Sequence, residues 1–514
     1  MNATNVFSAA ALHSANKIAL SDLDASTGRH ELSYQALNDQ ILTLSGALLA
    51  AGLKSGERVA MLVGNGWEYV VCFHGILAAG MVAVPMNVRL LEPELAHILS
   101  DSGARLLIAQ HDLLNACESL NSVTELGVWM VRGPVSSQPS LIQKLRESIP
   151  LQQPVYVTEE TLASIMYTSG TTGRPKGVML SHGAWSAVST FAVRELGYGD
   201  DEVTVHTAAL THGSGYLVLP TVAVGGKNVI CAKFDARRIL DLLGTERITG
   251  GFFVPSMIRM LLDASSDAPV RAPYLRCLYY AGSPIDVSTL QEAMQKFGPV
   301  LVQSFAQTEI PMFLTVMSRS DHVQATSGMA PELLRAAGRP IDGMQVRIVD
   351  DSGEDTPPGH PGEIIAKGPN MMLGYWANPE ATAQTIVDDW LYTGDIGSLD
   401  KNGVLYIVDR KKDMIISGGS NVYAREVEEV LLRHPCVKDV AVIGLPHIKW
   451  GEMVTAVLVR RENLSADDLD DYCRNNIPDF RRPKRMVWVD ELPRNSYGKV
   501  LKRQLKTELE EPAR

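Results

Sequence analysis

The stretch YTSGTTGRPKGVMLSH, residues 167–182, combines glycines and hydroxyl side chains with two cations, Arg174 and Lys176. This composition suits a flexible Ser/Thr/Gly linker, and it also suits a loop whose backbone N–H groups hold phosphate. The flanking sequence favours the phosphate loop, because it predicts a strand over residues 163–167 and a helix over residues 181–196. A strand, a glycine-rich loop and a helix N-terminus together form a common phosphate-binding arrangement.

The loop does not match the familiar glycine-rich nucleotide motifs. The Walker A pattern, GxxxxGK followed by Ser or Thr, needs a glycine at the sixth position counted from Gly170, where the chain has Pro175. The GxGxxG pattern of protein kinases and dinucleotide-binding folds is also missing from this stretch. We therefore expect neither a P-loop NTPase nor a protein kinase.

Length and composition are those of a globular protein with several folding units. The chain has 514 residues, which is enough for about two to four units. Its hydrophobic fraction is 46% and its charged fraction is 20%, so a sizeable core can form. The net charge of −11 argues against a protein that binds nucleic acid through an overall positive field.

The cysteines and the N-terminal sequence indicate in which cellular compartment the protein is expected. The N-terminal sequence lacks a basic segment followed by a sustained apolar core, and no run of about 18 apolar residues occurs in the chain. We therefore expect a soluble, cytoplasmic protein without a signal peptide or a membrane span. The cysteines are scattered without a CxxC spacing, which predicts free thiols rather than disulfides or a metal site. They are Cys72, Cys117, Cys231, Cys277, Cys436 and Cys473.

Apolar runs alternate with helical patterns over residues 58–110 and again over residues 203–305. This alternation is typical of βαβ units, so we predict an α/β fold with two doubly wound, largely parallel sheets. From about residue 338, short strands separated by turn-rich segments predict a small β-unit. A compact α+β segment follows Arg410. We therefore expect a large N-terminal domain, residues 1–410, and a small C-terminal domain, residues 411–514.

Four further motifs follow the loop along the chain. They are SFAQTE at 304–309, WLYTGD at 390–395, YIVDRKKDMIISGGSNVYAREVE at 406–428 and PRNSYGKVLK at 493–502. Together with the loop, their order and spacing resemble those of the adenylate-forming (AMP-binding) superfamily. That superfamily includes acyl-CoA synthetases, adenylation domains of peptide synthetases and beetle luciferases. The resemblance covers nearly the whole chain and indicates the acyl-CoA synthetase, or carboxylate–CoA ligase, branch.

The resemblance implies an ATP-dependent acyl-CoA synthetase that uses ATP, Mg²⁺ and coenzyme A. A carboxylate would attack the α-phosphorus of ATP to give acyl-AMP and pyrophosphate. CoA would then take the acyl group and release AMP. Phosphoryl transfer of this kind depends on positioning and charge neutralisation more than on covalent help from the protein.

The motifs also imply which residues hold the nucleotide. Glu309 would bind Mg²⁺, for which one carboxylate together with phosphate oxygens is sufficient. Thr308 would contact the α-phosphate, and Lys499 would be the catalytic cation that bridges this phosphate and the substrate carboxylate. The residues expected to bind ATP and AMP are Thr168, Ser169, Gly170, Thr171, Thr172, Gly173, Lys176, Ser304, Phe305, Ala306, Asp395 and Arg410.

Some of these residues have a particular expected partner. The loop would enclose the β- and γ-phosphates, with Lys176 as a nearby positive charge. Phe305 would stack on adenine, and Asp395 would accept hydrogen bonds from both ribose hydroxyls. The chain has Phe305-Ala306 where the family more commonly has Tyr-Gly, and the methyl group of Ala306 narrows the space for an acyl chain.

The domain boundary is predicted at the dipeptide Lys411-Lys412, and Lys412 matches the hinge of the family. The small C-terminal domain would be mobile about this hinge, bringing in Lys499 for the first half-reaction and withdrawing it for the second. Trp450 fits either the CoA channel or the core. The other residues expected to line the CoA channel are Ser417, Gly418 and Gly419.

The acyl pocket is expected in the stretches 210–216, 253–256 and 281–284 and in the residues after Glu309. We predict no Arg or Lys facing it, which favours a mostly apolar monocarboxylic acid, either aromatic or medium-chain. The identity of the acid stays open, and so does the choice between CoA and a carrier protein as the acceptor. The residues assigned to the pocket are His212, Gly213, Ala281 and Gly282.

Other activities of the same scaffold compete with this interpretation. An amino-acid adenylation enzyme would have an Asp where the chain has Thr211-His212. A fatty acyl-AMP ligase would load a carrier protein, against which the Gly418-Gly419 loop argues. Luciferase-like oxidation is normally a side activity, and a catalytically dead nucleotide-binding protein would not need both Glu309 and Lys499.

The expected partners are a small carboxylic acid, ATP and CoA but no nucleic acid, and a homodimer is one option.

Overall fold

The protein folds into two compact units. The larger comprises Met1–Val346 and Ala366–Leu391, and the smaller comprises Arg347–Ile365 and Tyr392–Arg514. Both mix helices with sheets, which confirms the predicted α/β fold class. The predicted boundary after Arg410 concerns domain motion and stays a prediction. The computed structural model describes residues 4–25, 28–115, 117, 120, 124–132, 139–168, 175–265, 270–461, 466–494 and 500–510.

Nine strands of the larger unit form one mixed sheet. The six central strands, from Leu301–Gln307 to Ile18–Asp22, are parallel, and antiparallel strands flank them at both edges. The carboxyl ends of the parallel strands therefore share one edge, which is where open α/β sheets bind ligands. In spatial order the strands are Arg339–Pro340, Ile310–Met317, Leu301–Gln307, Cys277–Tyr280, Gly250–Phe253, Val203–His206, Lys227–Ile230, Ile18–Asp22 and His30–Ser33.

A second, seven-stranded sheet also belongs to the larger unit. Five of its strands, from Leu162–Thr168 to Val128–Val131, are parallel, and the other two add antiparallel pairs at one edge. In spatial order they are Gly374–Tyr375, Lys176–Ser181, Leu162–Thr168, Val82–Pro85, Arg58–Leu62, Leu106–Gln110 and Val128–Val131. The remaining short strand of this unit is Ile386–Val387.

Helices connect and cover these strands, and polar caps mark several of their starts. The side chain of Asp235, the N-cap of helix Ala236–Thr245, accepts a hydrogen bond from the backbone N–H of Arg238. Helix Trp67–Ala78 is buried along its whole length. The helices of this unit are Val6–Ser14, Tyr34–Ala50, Trp67–Ala78, Glu92–Ser102, His111–Asn115, Leu141–Glu147, His182–Leu196, Val218–Ala223, Ala236–Thr245, Pro255–Ala264, Val287–Phe297, Arg319–Thr326 and Pro379–Thr385, with short 3₁₀ turns at Gly215–Leu217 and Pro331–Arg335.

The chain beyond the glycine-rich loop differs from the prediction. It enters the strand Lys176–Ser181, which pairs antiparallel with Leu162–Thr168 so that Thr168 lies opposite Lys176. Helix His182–Leu196 begins only after this strand. The predicted strand over residues 163–167 and helix over residues 181–196 are confirmed, whereas the direct step from loop to helix is wrong, because the loop connects two paired strands.

The strand after the loop has a clear physical origin. Val178 and Leu180 are both fully buried, so the short apolar run belongs to the sheet core rather than to a helix. A Cβ atom at Gly177 would lie 2.6 Å from the side chain of Ile165 on the neighbouring strand. Glycine at this position therefore allows the two strands to pair closely.

The smaller unit contains two groups of strands. The first comprises Gln345–Val349, Gly362–Lys367, Trp390–Leu399 and Leu405–Arg410, with a 3₁₀ turn at Lys411–Asp413, and some of these strands begin or end in the larger unit. The second sheet comprises Ile415–Ser417, Ser420–Val422, Val437–His447, Gly451–Arg460 and Arg485–Val489. Its helices are Ala424–Leu432, Ala466–Asn476 and Lys502–Glu510. None of the helices described in either unit is long and apolar enough to cross a membrane.

Several histidines are buried in the larger unit. Burial lowers the pKa of His74 to about 3 and the pKa of His182 to about 4. His206 is also fully buried, but Asn228 and Ser214 provide hydrogen-bond partners for its ring nitrogens. Neither ring nitrogen of His182 has a partner in the described part of the chain. The neutral form of His182 is therefore the folded form, and protonation opposes folding.

We expect the free energy of unfolding to decrease as the pH falls from about 6.5 to about 4. The unfolded state binds protons in this range, whereas the folded state resists protonation of His182 until the pH reaches its lowered pKa. The substitution His182→Leu should remove about 3 kcal/mol of this pH-dependent loss. Urea unfolding at a series of pH values measures it, and an unchanged pH dependence in His182→Leu would contradict the assignment.

Candidate functional site

A tight turn carries the predicted residues Thr308 and Glu309. The strands on either side, Leu301–Gln307 and Ile310–Met317, pair antiparallel with Gln307 opposite Ile310. The two residues between them therefore form the whole connection. Ser304, Phe305 and Ala306 lie on the strand before the turn. The structure thus groups all the predicted residues of this motif on one hairpin at the edge of the nine-stranded sheet.

Polar contacts hold the base of this hairpin. Met312 has a φ of +68°, an uncommon value for a non-glycine residue. The side-chain amide of the fully buried Asn370 donates hydrogen bonds to the carbonyls of Pro311 (2.8 Å) and Phe313 (3.3 Å), on either side of Met312. The Tyr279 hydroxyl donates to the carbonyl of Met312 at 3.1 Å. These contacts fix the irregular backbone that leads away from the turn.

The carboxylate of Glu309 has a partner that the sequence did not identify. The hydroxyl of Tyr375 donates a hydrogen bond of 2.8 Å to its Oε1 atom. The backbone carbonyl of Glu309 accepts a second hydrogen bond, from the N–H of Met372 at 2.8 Å. Tyr375 lies in the two-residue strand Gly374–Tyr375, 66 residues beyond Glu309, so no local pattern predicts the contact.

The ends of the glycine-rich loop lie beside the same tyrosine. Lys176 begins the strand after the loop, and its Nζ atom lies 5.0 Å from the ring centroid of Tyr375. Thr168, opposite Lys176 in the sheet, ends the strand before the loop. The structure therefore brings Lys176 and Glu309 to one tyrosine. The predicted loop residues Ser169, Gly170, Thr171, Thr172 and Gly173 lie outside the described residues.

The predicted acyl-pocket residues lie around the strand Gly250–Phe253. A Cβ atom at Gly213 would lie 2.6 Å from the Phe252 ring, so the glycine packs directly on that ring. Ala281 donates its backbone N–H to the carbonyl of Phe253 at 3.3 Å. Gly282 follows with a φ of +91°, which favours glycine. These residues belong to the carboxyl-end edge of the parallel strands.

His212 adds a polar group to this region. Its Nδ1 atom lies 2.9 Å from the hydroxyl oxygen of Thr211. Burial, followed by the positive charge of Arg89, lowers the pKa of His212 to about 4. The neutral imidazole is therefore the form present near pH 7. From the sequence we expected no Arg or Lys to face the acyl pocket. The structure has the exposed Arg89 close enough to His212 for its charge to lower the pKa of the imidazole.

The predicted ribose-binding residues lie in the smaller unit and form an ion pair. Asp395 and Arg410 lie opposite each other in adjacent antiparallel strands. The Nε atom of Arg410 is 2.7 Å from Oδ1 of Asp395, whose side chain is 4% exposed. The hydroxyl of Thr393 accepts a hydrogen bond from the backbone N–H of Asp395 at 3.1 Å. The structure therefore brings together two residues that the sequence places 15 positions apart.

The predicted hinge lies on the turn that follows. Lys412 is the middle residue of the 3₁₀ turn Lys411–Asp413. Its neighbour Lys411 forms an ion pair of 2.8 Å with Glu363, which raises the pKa of Lys411. Asp409, just before the turn, accepts the backbone N–H of Arg425 at 3.1 Å. Strand and helix residues on both sides of the predicted hinge are thus connected in this conformation.

The predicted CoA-channel residues form a second tight turn. Ser417 ends the strand Ile415–Ser417 and lies opposite Ser420 in the next strand. Gly418 and Gly419 between them have φ values of +58° and +80°, as a type I′ hairpin turn requires. The Gly418 N–H donates to the carbonyl of Trp450 at 2.8 Å. A Cβ at Gly418 would lie 3.1 Å from the Trp450 ring.

Trp450 itself is half-buried, so it is not a simple core residue. The Nζ atoms of Lys449 and Lys484 lie 4.6 Å and 5.9 Å from its ring centroid. Its ring also packs on the Gly418 turn. The structure places Trp450 with the other predicted channel residues. Lys499 lies outside the described residues.

The chain is similar to known proteins over most of its length. The chain matches the AMP-binding enzyme family over residues 7–376 and the AMP-binding enzyme C-terminal domain over residues 426–499. A feruloyl-CoA synthase from Amycolatopsis sp is 36% identical over 481 residues, which cover 92% of this chain and 93% of that protein. A fatty acid–acyl-carrier-protein ligase from Streptomyces coeruleorubidus is 33% identical, covering 92% of this chain and 91% of that protein.

Solved structures show the same fold with bound nucleotide. The o-succinylbenzoate CoA synthetase of Bacillus subtilis in complex with ATP and magnesium ion superimposes with a TM-score of 0.86 at 29% identity, covering 98% of this chain and 99% of that chain. Its complex with an acyl-adenylate intermediate gives a TM-score of 0.85 with 99% and 98% coverage. The chain therefore belongs to the AMP-binding enzyme family and is an AMP-forming acid–thiol ligase.

Proposed function

We propose that this ligase activates a mostly apolar monocarboxylic acid with ATP and transfers the acyl group to CoA. The observation that carries this proposal is the arrangement around Tyr375. A carboxylate, Glu309, accepts a hydrogen bond from the Tyr375 hydroxyl, and a cation, Lys176, lies over the ring of the same tyrosine. A Mg²⁺–triphosphate group needs a carboxylate for the metal and a cation for the phosphates, and this pair supplies both.

In the first half-reaction, an oxygen of the substrate carboxylate attacks the α-phosphorus of ATP. The bond between the α-phosphorus and the bridging oxygen of pyrophosphate breaks, and acyl-AMP forms. Thr308 on the hairpin turn would contact the α-phosphate. Lys499 would neutralise the charge between the two approaching anions. Lys176 and residues 168–173 would hold the β- and γ-phosphates that depart as pyrophosphate.

The residues present fit Mg²⁺ as the metal. Magnesium binds one or two carboxylates together with phosphate oxygens and waters. Glu309 offers one carboxylate, of which one oxygen is engaged by Tyr375. Bound there, Mg²⁺ would neutralise phosphate charge. Phe305 would stack on the adenine and Asp395, with Arg410, would hold the ribose hydroxyls.

In the second half-reaction, the sulfur of CoA attacks the acyl carbon, and the carbon–oxygen bond to AMP breaks. We propose that residues 411–514 move as one domain about Lys412 between the two steps. Lys499 would leave the site, and the turn of Ser417, Gly418 and Gly419 would line the channel for pantetheine. The contact of Trp450 with Gly418 supports a place for this ring in the same channel.

The acid itself is proposed from the pocket. His212 is neutral near pH 7, and Gly213 packs on the Phe252 ring, so this surface suits an apolar or aromatic group. The relative that makes feruloyl-CoA is named for an aromatic acid. The charge of Arg89, which acts on His212, would favour a second negative charge. Dicarboxylic acids therefore belong in any substrate panel.

A carrier protein is the second candidate for the acceptor thiol. The observation in its favour is the 33% identical relative that loads an acyl carrier protein. Carrier proteins present their thiol on the same phosphopantetheine arm as CoA, so both acceptors would use the Gly418-Gly419 turn. We favour CoA, and we place the enzyme in the cytoplasm, which free thiols at all six cysteines support.

A substrate panel tests the proposed function. Aromatic, medium-chain and dicarboxylic acids are incubated with ATP and Mg²⁺, with and without CoA, and acyl-CoA products are identified by mass spectrometry. We expect acyl-CoA from at least one aromatic or medium-chain monocarboxylic acid. A preference for dicarboxylic acids would contradict the proposed substrate class. Acyl transfer to a carrier protein but not to CoA would contradict CoA as acceptor.

The two half-reactions should respond differently to loss of Lys499. Because this side chain is needed only between carboxylate and α-phosphate, Lys499→Ala should slow adenylation by on the order of 100-fold or more. Thioester formation from supplied acyl-adenylate and CoA should stay mostly intact. Rapid-quench measurements of each half-reaction provide the comparison. Equal damage to both would count against rotation about Lys412.

A further inference from the structure

Tyr375 contacts two oppositely charged side chains of the larger unit. Its hydroxyl donates a hydrogen bond of 2.8 Å to Oε1 of Glu309, and the face of its ring lies 5.0 Å from the ammonium nitrogen of Lys176. Glu309 belongs to the nine-stranded sheet and Lys176 to the seven-stranded sheet. One side chain thus connects the candidate metal-binding carboxylate with the candidate phosphate-binding cation.

The backbone around Tyr375 leaves its ring little freedom. Tyr375 pairs with Val178 in the strand that follows the glycine-rich loop, and its N–H donates to the Thr382 hydroxyl at 2.9 Å. The neighbouring Trp376 donates its backbone N–H to the carbonyl of Gly177 at 2.7 Å. The side chain of Tyr375 is packed in the core with 8% of its surface exposed. The hydroxyl is therefore presented from a fixed position.

The same segment also fixes the backbone of Glu309. The N–H of Met372, three residues before Tyr375, donates to the carbonyl of Glu309 at 2.8 Å. Glu309 is therefore held at two points, its main-chain oxygen and one carboxylate oxygen. Within the described ranges no group hydrogen-bonds to its other carboxylate oxygen, Oε2.

The phenol is present in its donating form. Its hydroxyl lies 2.8 Å from Oε1 of Glu309, and a carboxylate oxygen can only accept, so the phenol is the donor. A phenol hydroxyl donates a hydrogen bond to a carboxylate without neutralising it. An anionic carboxylate with one engaged oxygen and one available oxygen is suited to bind a hard cation in a single orientation.

The ring of Tyr375 also affects how Lys176 and Glu309 interact. Lys176 and Glu309 form no ion pair with each other, although both contact Tyr375. A direct pair would have to break before phosphate and metal could bind. The aromatic face offers the ammonium group a weak cation–π partner instead, which a phosphate oxygen can readily replace.

We propose that Tyr375 is the positioning residue of the metal site. Its hydroxyl orients Glu309 so that one oxygen stays available to the Mg²⁺ of bound ATP, and its ring holds Lys176 apart from that carboxylate. This inference rests on the proposed function, because it takes Glu309 as the metal ligand. Hydrogen-bond partners of metal ligands commonly change metal affinity about 10-fold or more when they are removed.

Binding measurements on Tyr375→Phe test the role of the hydroxyl. The variant keeps the ring, and with it the contact to Lys176, but loses the hydrogen bond to Glu309. Calorimetry gives the Kd for ATP with saturating Mg²⁺ and again in EDTA, and the Kd in EDTA divided by the Kd with Mg²⁺ measures the metal-dependent part of binding. We expect Tyr375→Phe to reduce this ratio about 10-fold while the Kd in EDTA changes little.

Two further variants separate positioning from general damage. Tyr34→Phe is the matched control, because it removes another buried hydroxyl, one that donates to the carbonyl of Gly226 at 2.5 Å. It should leave the ratio unchanged. In a Glu309→Gln background, Tyr375→Phe should have almost no additional effect on the ratio, since the carboxylate that it orients is already gone.

The possible outcomes test the role of Tyr375 separately from the role of Glu309 as metal ligand. Equal loss of affinity with Mg²⁺ and in EDTA, or an effect that persists in full in the Glu309→Gln background, would overturn the positioning role. A wild-type protein that binds ATP equally well with and without Mg²⁺ would instead overturn Glu309 as a metal ligand. A lower ratio in Tyr375→Phe alone, with Tyr34→Phe unaffected, supports the proposal.

Discussion

The pairing of the two-residue strand Gly374–Tyr375 with Lys176–Ser181 is the constraint on which the candidate site depends. It anchors the segment that also binds the carbonyl of Glu309 through Met372 and its carboxylate through Tyr375. The seven-stranded sheet carries the glycine-rich loop, and the nine-stranded sheet carries the Glu309 turn. This short pairing therefore fixes the distance between the elements that would hold the phosphates and the metal.

The charged groups of the site have partners that a ligand could replace. Glu309 has a neutral phenol on one oxygen, and Lys176 has an aromatic face. Redirecting these two side chains to metal and phosphate would therefore cost little. A strong ion pair between Glu309 and Lys176 would instead compete with ATP.

Much of the fold could be predicted from the sequence, because its strands and helices have clear local patterns. Helix Glu92–Ser102 buries Leu95, Ile98 and Leu99 at helical spacing, and Asp235, a residue type favoured at N-caps, precedes helix Ala236–Thr245. The motif at 304–309 lies on one hairpin, as contiguous residues must. The strand Lys176–Ser181 was missed, because its short apolar run, next to a glycine-rich loop, has too few residues to show the periodicity of a strand.

The parts of the site that the sequence did not predict are contacts between residues far apart in the chain. Tyr375 reaches Glu309 across 66 residues through a two-residue strand, and such a strand has no periodicity to detect. Arg89 follows the buried strand Val82–Pro85 of the seven-stranded sheet. Its charge comes near His212 only when the chain folds. The domain rotation about Lys412 is likewise inferred from the family resemblance, since the structure describes one conformation of the protein.

The central claim is that the enzyme forms an acyl-adenylate before any thiol is involved. Exchange of labelled pyrophosphate into ATP measures that step directly, with the purified protein, Mg²⁺ and a carboxylic acid but no CoA. The account predicts exchange that depends on the acid and continues without CoA. Exchange that requires CoA, or none with any acid of a broad panel, would contradict it.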